Sequence, residues 1–273
     1  MEKCASDLYL LYLNGWTGMK SDDAVLTAGF TQRTGGVSKP PRHSFNLALH
    51  VGDDEEAVLE NRRRLMTEIG FELDAWTCAE QVHSNHVVIA GKSDRGKGSL
   101  SREEAIADAD GLLTQEKNIC LVSFYADCVP LYFFEPKKQI IGLAHAGWKG
   151  TAARIAEVMV RKMIDEMQAD PSRIQAAIGP SIGACCYEVD HRIADLFQRM
   201  LPEHAVARPN GEGKYMLDLK ESNRQIMIKA GIFPENIMVT KYCTGCDANR
   251  FFSHRRDRGL TGRMASWIGW QTR

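Results

Sequence analysis

The chain has 273 residues, 44% apolar and 25% charged, so it can bury a sizeable core and reads as an ordinary soluble globular protein. Its formal net charge of -1 gives no global electrostatic pull toward nucleic acid or an anionic membrane. No run of about 18 apolar residues occurs, so no membrane span is expected. Eight cysteines in so long a chain do not make a disulfide scaffold.

The N-terminal apolar stretch, 8–13, is too short for a signal-peptide core, and a cytoplasmic location is expected. Gly-Gly and Pro-Pro within 34–44 mark a loop. The spacing of Ala57, Val58, Leu65 and Ile69 predicts a helix over 53–70, with acidic residues in its first turn where the helix dipole favours them. Short apolar runs predict strands at 86–90, 119–125, 131–134 and 140–144, with a soft loop at 92–101. A helix follows over 151–167, with Thr151 as N-cap and Ile155, Val158, Met159 and Met163 along one side. Then come a strand at 174–178, a helix at 190–200 and a turn-rich loop at 208–214. A helix at 219–230, stopped by Gly231, and a strand at 237–240 complete the series. No repeat or linker divides the chain. The order predicts a single α+β domain over 1–273, with mixed β-sheets packed together and flanked by helices.

Three loops adjoining strands carry the chemistry: 81–87 (QVHSNHV), 125–131 (YADCVPL) and 143–151 (LAHAGWKGT). Pro130 lacks a ladder donor, which predicts a turn there and leaves Cys128 at a strand end. His145 ends another strand, and Ala146 and Gly147 leave room beside it. His83, Cys128 and His145 together make a His₂Cys set. Three N and S ligands with one open position are the pattern of catalytic zinc, which can activate water or polarise a leaving group. The alternative is three unrelated residues, a packed thiol and two hydrogen-bonded imidazoles. His86, three residues after His83, is a weaker candidate ligand. Asp127 either orients a water or a histidine, or caps a turn.

Cys243-Thr-Gly-Cys246 is a C-x-x-C that can bind metal or exchange disulfides, but no second such motif accompanies it, and structural use is expected. The vicinal pair Cys185 and Cys186 is expected to serve packing. Basic residues in 253–263, with Arg62 and the Gly-Gly loop, are either a phosphate site or a solvated surface. The phosphate-loop pattern fails around 142–149, no G-x-G-x-x-G follows a strand, and no H-E-x-x-H is present.

The ordered motifs resemble the YfiH-like family across nearly the whole chain. They are T-x-R-x-G-G-V-S (31–38), N-L-A-L-H-V-G-D (46–53), Asn61-Arg62, Q-V-H, D-A-D-G-L-L-T (108–114), A-D-C-V-P-L, H-A-G-W-K-G-T, I-G-P-S-I-G (178–183), C-Y-E-V, C-T-x-C and F-F-S-H-R-R-D. Members carry the name multicopper polyphenol oxidase and have been reassigned as purine nucleoside phosphorylases with adenosine deaminase activity.

The resemblance implies that His83, Cys128 and His145 are both the catalytic residues and the metal ligands, with zinc as the cofactor and copper possible. It implies phosphorolysis of adenosine, inosine and methylthioadenosine to base plus sugar 1-phosphate, and deamination of adenosine at C6. Asn46, Arg62 or the Gly-rich loop is expected to hold phosphate. Lys149 stands where the family usually has Arg, and His254 where it usually has Tyr, which bears on substrate preference. Expected partners are purine nucleosides and phosphate, with no nucleic acid or membrane and a monomer or homodimer as the assembly. Three rival readings remain. One is a metal-free cysteine hydrolase, with Cys128 as nucleophile and His145 as base, acting on amide bonds such as those of cell-wall precursors. Another is a copper-dependent phenol oxidase, which normally needs more histidines than are present here. The third is a metal-dependent purine-binding protein without turnover.

Overall fold

In a computed structural model of the chain, which describes residues 10–21 and 23–273, the apolar runs build two large mixed sheets. Leu8 and Tyr9, the start of the N-terminal apolar run, lie outside the described residues. One sheet has the order β1 (Leu10–Tyr12), β2 (Ala24–Thr31), β14 (Met264–Thr272), β6 (Cys120–Tyr125) and β3 (Trp76–Cys78). The other has the order β13 (Ile237–Val239), β9 (Gln175–Ile178), β7 (Val129–Glu135), β8 (Ile140–Ala146), β5 (Gly111–Thr114) and β4 (Val87–Ile89). A small third sheet joins β10 (Glu188–Asp190), β12 (Lys214–Leu217) and β11 (Ala207–Pro209).

Alternation along β7 shows how the layers form. Tyr132 and Phe134 pack with Leu26, Leu121 and Ile268 of the first sheet, so the two sheets share a core. Leu131 and Phe133 point the other way, onto Ile155, Met159 and Met163. With both faces covered, the strand reads in sequence as one apolar run. The Tyr132 hydroxyl donates to the Gly29 carbonyl at 2.6 Å, tying the sheets together. Helix α1 (Glu55–Ile69) covers the outer face of the first sheet through Leu65, Met66 and Ile69, and Gly70 ends it in the left-handed conformation.

Helices α2 (Trp148–Ala152), α3 (Ile155–Asp165), α4 (His191–Met200) and α5 (Leu219–Lys229) lie on the side of the second sheet. Asp190 caps α4 by accepting from the Ile193 N–H, and Asp218 caps α5 by accepting from the Glu221 N–H. The helix expected over 151–167 is instead two. It starts at Trp148, breaks where Arg154 takes φ 59°, and restarts at Ile155. Thr151 is therefore not an N-cap; it is buried inside α2, where its hydroxyl accepts from Asn223 Nδ2 at 2.9 Å. Pro130 does not stop pairing either. The chain turns one step earlier, at 126–128, and Pro130 enters β7 opposite His145 near the strand's start, where a missing donor is tolerated. Strands β2 and β14 escaped the sequence reading because Thr, Ser and Gly interrupt their apolar patterns.

Candidate functional site

Four neighbouring strand ends converge at one edge of the six-stranded sheet. Strands β4 and β5 run parallel, β5 is antiparallel to β8, and β8 is antiparallel to β7. The starts of β4, β5 and β7 therefore meet the end of β8. That brings together the loop bearing His83, the residue before β5 (Asp110), His145 in β8 and Cys128 just before β7. The donor atoms of His83, Cys128 and His145 all lie within 4.8 Å of one another. The two imidazole rings meet edge to face, with centroids 4.8 Å apart.

Asp110 organises this group, and sequence reasoning gave it no role. Its Oδ1 accepts from His145 Nδ1 at 2.8 Å and from the His83 backbone N–H at 3.1 Å. Its Oδ2 accepts from the Ser84 N–H at 2.7 Å and the Ser84 hydroxyl at 3.0 Å. Burial opposes the Asp110 charge, but the bonds from His145 and Ser84 outweigh it and hold the carboxyl below its ordinary value. With Nδ1–H committed to a carboxylate, Nε2 is the atom of His145 left to bind a ligand, which is the usual arrangement behind a metal-bound histidine. The signal was present as the second Asp of the motif at 108–114.

Strain marks the same place. Gln81 (φ 63°), His83 (φ 64°) and Asp127 (φ 87°) all adopt left-handed backbone, which is unfavourable without a glycine. Gln81 fastens its strained loop to the end of β6, donating to the Phe124 carbonyl at 2.9 Å and accepting from the Phe124 N–H at 2.8 Å. Gly147 keeps the donors close: a Cβ there would come 3.0 Å from Cys128 Sγ and 3.2 Å from His83 Cδ2, so those side chains would have to shift.

The thiol and the buried imidazole reinforce each other's charge. Burial pushes the Cys128 thiol up, yet His145 and His83 pull it down from 9.0 to about 6. Burial would lower His145, yet Cys128 and Asp110 raise it from 6.5 to about 9. A ready thiolate, an imidazole oriented by a carboxylate and a second imidazole suit a transition metal of the zinc or copper type. In composition and spacing, this donor set fits such an ion.

The group faces a cavity of about 460 Å³, within the range of small-molecule sites. Phe124, Trp148 and Tyr187 supply aromatic wall, and Lys149, Arg255 and Arg263 supply positive charge. None of these three cations forms an ion pair among the described residues, although Arg255 donates to the Glu188 carbonyl at 2.8 Å and stacks over Tyr187. His50 also lines the cavity; burial and the nearby Arg263 lower it to about 4, so its ring is neutral near pH 7.

The other sequence candidates fall elsewhere. Arg62 is buried, donating to the carbonyls of Leu47, Gly98 and Ser99 and packing against Trp76 and Phe124. Asn46 is fully buried, donating to Asp53 and the Ala48 carbonyl and accepting from the Arg263 N–H. Neither lines the cavity, so the expectation that they grip phosphate is corrected: their polar atoms hold loops in place. His86 is exposed, with Nδ1 at the Asp108 carbonyl, and does not join the metal-capable group. Asp127 neither orients a histidine nor merely caps its own turn. It accepts from Thr244, Ser253 and the Arg255 N–H, anchoring the C-terminal segments beside Cys128. The two cysteine pairs, expected to serve packing or structure separately, come together in one cluster near the surface.

The model of the multi-copper polyphenol oxidoreductase laccase family matches residues 27–271. Purine nucleoside phosphorylase YlmD of Geobacillus stearothermophilus is 45% identical over 266 residues, covering 96% of this chain and 97% of that protein. Purine nucleoside phosphorylase YlmD of Bacillus subtilis is 42% identical over 261 residues, covering 95% and 94%. The crystal structure of Bacillus licheniformis hypothetical protein YfiH matches with a TM-score of 0.87 at 43% identity, covering 92% of this chain and 97% of that one.

Proposed function

Because this chain belongs to the multi-copper polyphenol oxidoreductase laccase family of YfiH-like proteins, we propose that it is a purine nucleoside phosphorylase acting through His83, Cys128 and His145. The observation that carries this reading is the meeting of a thiolate and two imidazoles at a nucleoside-sized cavity walled by aromatic rings and unpaired cations. Adenosine, inosine and methylthioadenosine are the proposed substrates, and hydrolytic deamination of adenosine is the proposed second activity.

His83, Cys128 and His145 would hold the metal, zinc in the first instance, which supplies Lewis acidity to the reacting oxygen or ring. The chain's own groups do the remaining work. Phe124, Trp148 and Tyr187 offer faces for stacking a purine, a contact worth about 1–3 kcal/mol per base. Neutral His50 can both donate to and accept from a base edge. Arg263, Arg255 and Lys149 attract phosphate and offset its charge as one of its oxygens bonds to the anomeric carbon. The bond between that carbon and the base nitrogen breaks, and that nitrogen leaves carrying the proton that the attacking phosphate gives up. Asp110 holds His145 in one tautomer throughout.

The test is chromatography of zinc-loaded protein incubated with adenosine, with and without phosphate, beside Cys128→Ala. Adenine and ribose 1-phosphate formed only with phosphate, with inosine as a second product and all of them lost in the variant, is the expected result. Absence of turnover in both conditions would overturn it.

The thiolate–imidazolium pairing of Cys128 and His145 favours a second reading, a cysteine hydrolase acting on amide bonds such as those of cell-wall precursors. That reading requires activity to survive exhaustive chelation and to vanish on thiol alkylation. Loss of activity on chelation, restored by metal, would eliminate it.

A further inference from the structure

We propose that Cys185, Cys186, Cys243 and Cys246 form a second metal site, a closed tetrathiolate centre for zinc that is structural and separate from the His83–Cys128–His145 group. The four sulfurs lie within 4.8 Å of one another, and Cys246 Sγ is 3.4 Å from both Cys185 Sγ and Cys186 Sγ. Zinc–sulfur bonds of about 2.3 Å in a tetrahedron place sulfurs about 3.8 Å apart, inside that span. Cys246 stands equally close to two partners, which suits a shared ion; a disulfide would commit it to one.

The backbone shapes the pocket for the sulfurs. Two turns, 181–187 and 242–247, lie side by side through a parallel bridge between Ser181 and Cys243, and the Thr244 N–H donates to the Ser181 carbonyl at 3.0 Å. The Gly183 N–H donates to Cys243 Sγ at 3.2 Å, an amide aimed at sulfur as thiolates require. Gly245 permits the approach, since a Cβ there would fall 2.9 Å from Cys186 Cβ and 3.1 Å from its sulfur. Binding zinc displaces four thiol protons and leaves a net charge of about -2 on the centre. Lys220 is placed to offset part of it: its ammonium donates to the Tyr242 carbonyl at 2.8 Å and lies close enough to feel the charge of Cys243, Cys185 and Cys246.

Four protein ligands leave no open position, so the centre braces structure and does no chemistry. What it braces is the cavity wall. Ile182 and Tyr187 line the cavity from the first turn, and Thr244 in the second donates to Asp127, beside Cys128, at 2.6 Å.

The test is zinc analysis and X-ray absorption on reduced Cys128→Ala protein, in which the other group has lost its thiolate. The expected result is about one zinc per chain with a shell of four sulfurs at about 2.3 Å, and at least a tenfold loss of that zinc on adding Cys243→Ser and Cys246→Ser. Reduced Cys128→Ala protein without zinc, or zinc in a nitrogen and oxygen shell, overturns the proposal. Should the triple variant fail to fold, cobalt titration of the unaltered chain decides. Sulfur-to-cobalt charge-transfer bands of a four-sulfur site support the centre, and bands of a single-sulfur site alone overturn it. Neither result depends on the proposed phosphorylase activity.

Discussion

The His83–Cys128–His145 group and the four-cysteine cluster are both metal-capable, yet they are built on opposite plans. The first draws one donor each from two loops and the end of β8, buries His145 and sets the Asp110 carboxylate behind its ring. The second draws two near-adjacent pairs from two turns, leaves Cys185 and Cys246 exposed, and has amides and Lys220 around it in place of a carboxylate. Three donors beside a cavity leave a place for a substrate; four donors at the surface leave none. The number of ligands and what stands behind them separate a site able to react from one able only to brace.

The sharpest way to break the comparison is to remove one thiol from each plan. Cys128→Ala is expected to lower phosphorolysis kcat by about 10³-fold or more, roughly 4 kcal/mol in the barrier, measured by product chromatography at saturating substrate. A variant that keeps its kcat would place the chemistry elsewhere.

The pH dependence of thiol reactivity comes next. In chelated protein the Cys128 thiol, lowered from 9.0 to about 6, stays thiolate above pH 6 and is protonated as pH falls through that value. Alkylation of Cys128, followed by mass spectrometry, should therefore be half-maximal near pH 6. A midpoint near 9 would mean that His145 and His83 do not act on the thiol as the geometry requires.

Asp110→Asn tests the support behind His145. It preserves shape but removes the charge that orients the ring, and should weaken metal binding or activity by about 10–100-fold. Its alkylation midpoint at Cys128 should also move upward, because a less charged His145 favours the thiolate less.

In the bracing plan, Cys243→Ser should act on stability more than on the reaction. Losing an ion present at about 100 times its Kd removes about 3 kcal/mol, which for a chain of this size lowers Tm by about 6–10 °C in calorimetry. A kcat loss as large as that of Cys128→Ala, with Tm unchanged, would reverse the assignment of roles. Smallest of all, Lys149→Ala should raise the phosphate KM by about fivefold, roughly 1 kcal/mol, with kcat nearly unchanged.

Much of the fold was legible because local chemistry wrote it. Helix 53–70 appears as α1 with Gly70 closing it, and 219–230 appears as α5 with Asp218 capping it. The runs at 119–125, 131–134 and 140–144 became the central strands β6, β7 and β8, where covering both faces favours unbroken apolar sequence. Where tertiary contacts outweighed local preference, the reading failed. The long helix breaks at Arg154, with Trp148 of the first piece lining the cavity and Ile155, Met159 and Met163 of the second packed on the sheet.

Among the site residues, His83, Cys128 and His145 could be named from their residue types and from ordered motifs. Their meeting depends on β4, β5, β8 and β7 lying side by side, a pairing between strands far apart in sequence. Asp110 was invisible in role because an acidic residue before a strand has many ordinary uses, and only the register of β5 against β8 puts it at His145 Nδ1. Arg62 and Asn46 misled for the converse reason. Arg and Asn next to motif residues look like anion ligands, but burial gives their donors to backbone carbonyls.

The amino-acid sequence by itself determined the class of fold, the main helices and strands, and the residue types able to hold a metal, because these follow from local periodicity, capping and side-chain chemistry. Only the tertiary structure decided which donors share a site, that Asp110 orients His145, and that Cys185 and Cys186 face Cys243 and Cys246. Those facts depend on distances between segments remote along the chain, which strand register and layer packing set and no local pattern records.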